Sequence, residues 1–339
     1  MSIYGSITNE TLAQVGASFV QSARERYAFT QFPMCRVLGA GNGHGKTVYS
    51  LPAIDNFLAK TASLADWGYG LARRASRDLG KASVTVAPGV YDIQPLTRPL
   101  TSNSSTEQVF ADLLNNIIPG QLSMLYQGME LQLATKLTDG TLATSKAFTG
   151  TGVLDTYMSN FDHDPIGDIL GLIESSGLRW KKEVINGELA MCISPRVLDL
   201  FQRHPAFNGS GKWSGVPTVV PRQQVIDHLN ATLMLDRTIL FSAVADSVRP
   251  GQTSAPLIAG RNVLSFQVLD RTMSRDLAAN PFDTPEGSVC LFEAEAPNVS
   301  IAEDLDTKVV KFNGDAEYQF GTPRGATWGI YFAGSEMFT

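Results

Sequence analysis

Few residues in this chain have both the type and the spacing for chemistry. Ala40, Gly45, Lys46 and Thr47 fit a relaxed phosphate-binding loop, with alanine in place of the first glycine. That chemistry needs backbone N–H groups around phosphate, a lysine on the terminal phosphates, a hydroxyl on Mg²⁺ and a helix starting at the lysine. Val48-Tyr49-Ser50-Leu51-Pro52 follows instead, a β-leaning run with a proline where the second helical turn would be. Asp236, closing ATLMLD, could pose as the magnesium carboxylate, but a turn feeding a strand is the preferred reading.

Other candidates weaken in the same way. Asp162, His163 and Asp164 invite a metal, yet no second histidine lies at ligand spacing, and Asp-Pro more often opens a helix. His204 ends the pattern RVLDLFQR, where a last-turn cation suits the helix dipole. Glu293 and Glu295 share one face of a regular strand; a solvent-facing edge is preferred to a catalytic pair. No G-x-S-x-G, H-E-x-x-H or C-x-x-C occurs, nor a G-x-G-x-x-G after a strand. The four histidines stand singly. The expectation is no catalytic centre, no metal and no cofactor.

One group of charges reads differently. Arg73, Arg74, Arg77 and Lys81 gather in LADWGYGLARRASRDLGK, between the strand-like runs VYSLPAIDNF and KASVTVAPGVYDIQPL. Two extended arms around a basic tip are too thin for a core of their own. A solvated tip is one reading, and docking on an acidic patch of a neighbouring protein is the other. Net charge is −6 over 339 residues, against binding nucleic acid mainly through phosphate neutralisation. Apolar content is 43% and charged content 18%, enough for more than one core.

Cys35, Cys192 and Cys290 are odd in number and far apart, so they read as reduced, mostly buried thiols of a cytosolic product. No signal peptide is evident, and no apolar run has the length to cross a membrane.

The elements that would carry these residues centre on Pro119 to Gly140. Leu122, Leu125, Met129, Leu133 and Leu137 form one helical stripe. Gln121, Gln127, Glu130 and Lys136 lie off it, and Asp139-Gly140 is the stop. Before it, Ser105 to Gln108 has a capping-box pattern, and Val109, Phe110, Leu113, Leu114 and Ile117 predict a helix stopping near Pro119. Leu12, Val15, Phe19 and Ala23 predict a short helix in an arm. Residues 164–284 read as an α/β unit: the helical face Ile166, Ile169, Leu170 and Ile173, the strand ELAMCI, and Ser194-Pro195 opening a helix. A helix from Pro221 and the strands ATLMLD and TILFSAVA complete it. The last 55 residues read as strand after strand, partners for the central helix. The fold class is α+β.

The stretch DPIGDILGLIESSGLRWKKEVINGELAMCISPRVLDLFQRHP, residues 164–205, and the segment VLDRTMSRDLAANPFDTPEGSVCLF resemble the major capsid proteins of tailed bacteriophages, the Hong-Kong-97-type capsid fold. The order of elements agrees along nearly the whole chain. The resemblance implies an N-terminal arm at 1–46 and an extended loop at 47–100. It implies a peripheral domain at 101–160 and 285–339 with a spine helix at about 119–139, and an axial domain at 161–284.

It also implies self-assembly into pentamers and hexamers of an icosahedral head shell around double-stranded DNA, without sequence-specific DNA binding. A separate scaffolding protein, a portal and a decoration protein are the implied partners, with assembly in the host cytoplasm and a place in the virion. Relatives that crosslink covalently use a loop lysine; Lys60 and Lys81 lie there, with no assignable partner. Arg73, Arg74, Arg77 and Lys81 become candidates for inter-subunit contact. An encapsulin-like nanocompartment shell and a nucleotide hydrolase are the alternatives.

Overall fold

Two hydrophobic periods, near 3.6 and 2, resolve into two main sheets sharing one long helix. The computed structural model describes residues 26–37, 47–52, 81–86, 89–92, 95–99, 106–146, 164–204, 207, 220–241, 244–246, 256–258, 263–276, 287, 289–304, 306, 308–322 and 328–332.

Ala28–Gln31 make a single 3₁₀ turn and Met34–Arg36 form strand β1. Thr47–Pro52 (β2) and Lys81–Val86 (β3) pair antiparallel, from Thr47 opposite Val86 to Pro52 opposite Lys81. These are the expected hairpin arms. Gly89–Asp92 (β4) and Leu96–Pro99 (β5) follow.

Thr106–Asp112 (α1), a π turn at Leu113–Ile117 and Ile118–Thr138 (α2) then run as one uninterrupted helix. At 1.5 Å per residue it is about 50 Å long. The sequence predicted a stop near Pro119, and the helix passes through it. A proline inside a regular helix lacks a donor and strikes the carbonyl one turn back. Here the ladder has already widened: the N–H of Ile118 bonds Leu113 O, five residues back, and Pro119 falls in the first turn of α2.

The predicted stripe is buried throughout, with Leu122, Leu125, Met129, Leu133 and Leu137 each at most 3% exposed. Each contributes about 1.5–3 kcal/mol by leaving water. Two residues expected off the stripe, Gln121 and Glu130, are buried as well, because α2 is enclosed on more than one side. Gly140, at φ +84°, ends the helix as expected.

Thr144–Lys146 (β6) leads toward the α/β unit. Its elements are Pro165–Ser175 (α3), Leu178–Ile185 (α4), Glu188–Ile193 (β7), Pro195–Arg203 (α5), Arg222–Leu233 (α6) and Arg237–Leu240 (β8). Val244–Asp246 (β9) pairs with Pro256–Ile258 (β10), and Leu264–Leu269 (β11) follows. The run ATLMLD, expected as a strand, instead ends α6. Its alanine, threonine and first leucine continue the preceding apolar period, and Met234, at φ 53°, closes the helix in the left-handed region.

Ser274–Asp276 (β12), Cys290–Asp304 (β13), Val309–Gly321 (β14) and Ile330–Phe332 (β15) complete the chain. The first sheet has the order β12-β1-β13-β14-β4, with β5 also on β14. The second has the order β6-β15-β11-β7-β8. The terminal strands therefore do not all join one sheet: β15 pairs antiparallel with β11 and parallel with β6.

β7 is buried on both faces, as suits an interior strand. Leu189, Met191 and Ile193 face α3, α5 and α6, while Ala190 and Cys192 face the core built on α2. The opposite wall of that core is Leu291, Ala316, Tyr318 and Phe320 of β13 and β14. A smaller core joins α1 and the start of α2 to Val299, Val310 and Phe312.

Candidate functional site

The sequence candidates do not converge. Ala40, Gly45 and Lys46 lie outside the described residues. Thr47 opens β2, where a phosphate-binding loop would need a helix. Asp236 is occupied structurally: it pairs with Lys182 Nζ at 2.7 Å and accepts the N–H of Leu189 at 2.7 Å, tying α4 and β7 to the start of β8. Asp162 and His163 lie outside the described residues. Asp164 caps α3, its Oδ1 accepting the N–H groups of Ile166 and Gly167, each at 3.1 Å. Among the described residues no group of His, Cys, Asp and Glu has metal-binding geometry, and no helix is long and apolar enough to cross a membrane.

His204 is buried after the end of α5, and the last-turn cation of that helix is Arg203. Glu293 and Glu295 do not share a face. The β13–β14 register slips between them: Glu293 stands opposite Tyr318 and Glu295 opposite Glu317. The bulge turns Glu293 inward, 7% exposed, and leaves Glu295 exposed, so the expected solvent edge holds for one of the two. All three cysteines are buried and none is in a disulfide, and burial pushes the thiols of Cys192 and Cys290 up. Of the basic candidates, Arg73, Arg74, Arg77 and also Lys60 lie outside the described residues, while Lys81 opens β3.

What the structure does assemble is an anchor for the segment Tyr27–Val37. Tyr27 shares a 2.7 Å hydrogen bond with Ser123 of α2. The N–H of Ala28 donates to Glu130 Oε2 at 2.8 Å, in the buried core. Tyr27 and Phe29 both meet the Tyr126 ring edge-on, at 5.4 and 5.2 Å between centroids. Such contacts are worth about 0.5–1.5 kcal/mol each beyond burial. Arg237 at the head of β8 donates to Gln31 O at 2.9 Å and also pairs with Glu188. β1 then slots parallel between β12 and β13, Cys35 opposite Arg275 on one side and Phe292 on the other.

The electrostatics of this anchor follow from enclosure. Burial raises the Glu293 carboxyl, and Arg36 on β1 pulls it back down. Burial, then the charge of Glu293, then Tyr27 push the Tyr126 phenol well up, so it stays a neutral donor. The anchor holds a chain segment against both main sheets, through β1 in the first and the bond from Arg237 in the second. Sequence reasoning missed it: Glu130, beside Met129, shows no mark of a partner about a hundred residues away.

No protein-family model matches the sequence, and no curated protein matches it. Solved structures do. A phage-related protein from Bordetella bronchiseptica RB50 superposes with a TM-score of 0.60 at 14% identity, covering 96% of this chain and 98% of that one. The mature capsid of bacteriophage PhiM1 gives 0.48 at 11% identity, covering 89% and 86%. A virus-like particle from Pyrococcus furiosus gives 0.47 at 6%, covering 95% and 99%. The resemblance drawn from the sequence is met at the level of fold: along nearly its whole length, this chain has the fold of that phage-related protein.

Proposed function

We propose that the chain is the major capsid protein of a tailed phage, a structural and non-catalytic subunit that builds pentamers and hexamers of an icosahedral shell around double-stranded DNA. The observation that carries this reading is the fold shared with a phage-related protein over 96% of the chain. On this reading residues 1–46 are the arm and 47–100 the extended loop that clasps a neighbour. Residues 101–160 with 285–339 form the peripheral domain and 161–284 the axial domain. The anchored Tyr27–Val37 segment supports the arm, and the antiparallel β2–β3 ladder supports the extended loop, because it pairs the two arms expected to flank the loop's tip. Weak contacts repeated around symmetry axes then sum to a stable shell.

The acidic balance suits a wall that confines DNA without gripping it. A separate scaffolding protein, a portal and a decoration protein are the proposed partners. The host cytoplasm is the proposed place of assembly, and the virion the destination. Electron microscopy with light scattering on the purified protein tests the reading. Closed shells, tubes or rings of five and six are expected. A homogeneous monomer that does not assemble under crowding would overturn it.

A further inference from the structure

Arg237, at the head of β8, has donors matched to partners of unequal strength. Its Nη2 pairs with a carboxylate oxygen of Glu188 on β7, and its Nη1 donates to Gln31 O at 2.9 Å. The same Nη1 also donates to Met273 Sδ at 3.6 Å. A thioether is a weak acceptor, so one hydrogen of a charged group is left with a poor partner.

The turn that carries Met273 is held in place. Asp270 Oδ1 accepts the N–H of Thr272 at 2.8 Å, and Asp270 Oδ2 accepts from Nε and Nη2 of Arg275 at 3.1 and 2.7 Å. Met273 O accepts the N–H of Met34, where β1 begins, at 2.9 Å. The Met273 side chain is nevertheless open to solvent, 37% exposed, whereas Met129 and Met191 are enclosed in the cores. An accessible thioether therefore stands beside a cation whose position is fixed by two other partners.

Peroxides convert methionine into its sulfoxide, a polar and chiral group that ordinarily disrupts packing. At Met273 a donor is already in place for the product. A lone pair of Sδ attacks one oxygen of hydrogen peroxide. The S–O bond forms, the O–O bond breaks, and the proton of the attacked oxygen leaves with the departing hydroxide as water. Sulfur loses two electrons and the peroxide gains them. In the epimer directed at Arg237, the new oxygen stands nearer to Nη1 than sulfur did and accepts a charge-assisted hydrogen bond.

We infer that Met273 is a site of reversible oxidation by peroxides, and that Arg237 holds its sulfoxide. Oxidation there tightens the junction between β8 of the second sheet and the start of β1 in the first. This holds for the single chain and is independent of the shell reading.

The test treats the full-length chain with hydrogen peroxide, locates sulfoxides by peptide mass and follows hydrogen exchange at the Met34 amide. Met273 should oxidise alongside the more exposed Met124 and Met234, and ahead of the buried Met129 and Met191. Exchange at Met34 should then slow about tenfold in the fraction carrying the favourable epimer, the scale of one hydrogen bond to a charged group. Methionine sulfoxide reductases of both epimer specificities should restore the starting rate. In Met273→Leu, peroxide should leave the Met34 amide unchanged. In Arg237→Lys the slowing should disappear while Met273 still oxidises, because a single ammonium is claimed by Glu188 and Gln31. Circular dichroism checks that each variant is folded, and Met273→Leu, at an exposed position, carries the test if Arg237→Lys is not.

Met273 left unmodified when Met124 and Met234 are fully oxidised overturns the inference. So does exchange at Met34 that is unchanged or faster once Met273 is oxidised. Slowing that persists in Met273→Leu belongs to another methionine, and slowing that persists in Arg237→Lys belongs to another donor; either result overturns it as well.

Discussion

The carboxylate of Glu130 accepts the backbone N–H of Ala28 at 2.8 Å, joining segments 102 positions apart inside the core. The 3₁₀ turn at Ala28–Gln31 leaves its first N–H groups without partners of their own, and a carboxylate from the middle of α2 takes one of them. With Tyr27 and Phe29 gripping Tyr126 one turn earlier on α2, this contact fixes the 3₁₀ turn against the middle of α2.

Glu130→Ala is expected to destabilise the chain by about 2–3 kcal/mol, the loss for a buried hydrogen bond to a charged group. Glu130→Gln keeps an acceptor and should lose less. Denaturant unfolding gives the magnitude, and hydrogen exchange at the Ala28 amide shows whether the loss is local. Unchanged protection of that amide in Glu130→Ala would refute the assignment.

Glu293 predicts a pH dependence. Its carboxyl is raised above the ordinary value of 4.5 by burial, with Arg36 acting the other way. Between the unfolded and folded values the folded chain holds a proton that the unfolded chain releases, so stability falls as pH rises through that window. Glu293→Gln should remove this loss. Its unfolding midpoint, relative to wild type, should climb as pH rises from the carboxylate range toward neutrality. Parallel curves would contradict the prediction.

Two glycines should respond in opposite directions. Gly287 has φ +124°, and a Cβ there would lie 2.5 Å from Val268 O, so Gly287→Ala should cost about 1–3 kcal/mol. Gly128 sits on the exposed side of α2, and a methyl added there would meet nothing within 4 Å. Gly128→Ala should stabilise the dissociated chain by about 0.5–1 kcal/mol, as alanine does inside a helix. Thermal unfolding of both variants checks the contrast.

Replacing Arg73, Arg74 and Arg77 together by alanine should slow or abolish assembly in light scattering while leaving circular dichroism unchanged. Loss of the monomer's own fold would remove the tip from any role in assembly.

Much of the fold was legible because it is local. The stripe from Leu122 to Leu137 repeats at the helical period, and Asp164-Pro165 and Ser194-Pro195 announce their helices in consecutive residues. Other features depend on partners the local sequence does not contain. A single slip of register separates Glu293 from Glu295, and strict alternation has no signal for it. ATLML has the composition of a strand, but the helix before it was still in phase. Ile330–Phe332 leaves its neighbours for the other sheet because β11 offers the open side. The anchor around Glu130 was invisible for the same reason: nothing in Met129-Glu130-Leu131 says what will cover it.

β1 has a consequence in time. It is an interior strand of its sheet, yet both its partners, Ser274–Asp276 and Leu291–Glu293, lie more than 230 positions further along the chain. At the usual pace of synthesis the ribosome needs roughly 10–50 s to reach them. Until then the slot for β1 does not exist, so one of the first strands made is among the last to be paired. Where many copies are made side by side, a slot completed on one chain can accept the waiting strand of another with every hydrogen bond unchanged, so the step that completes the fold is also the point at which chains can exchange arms.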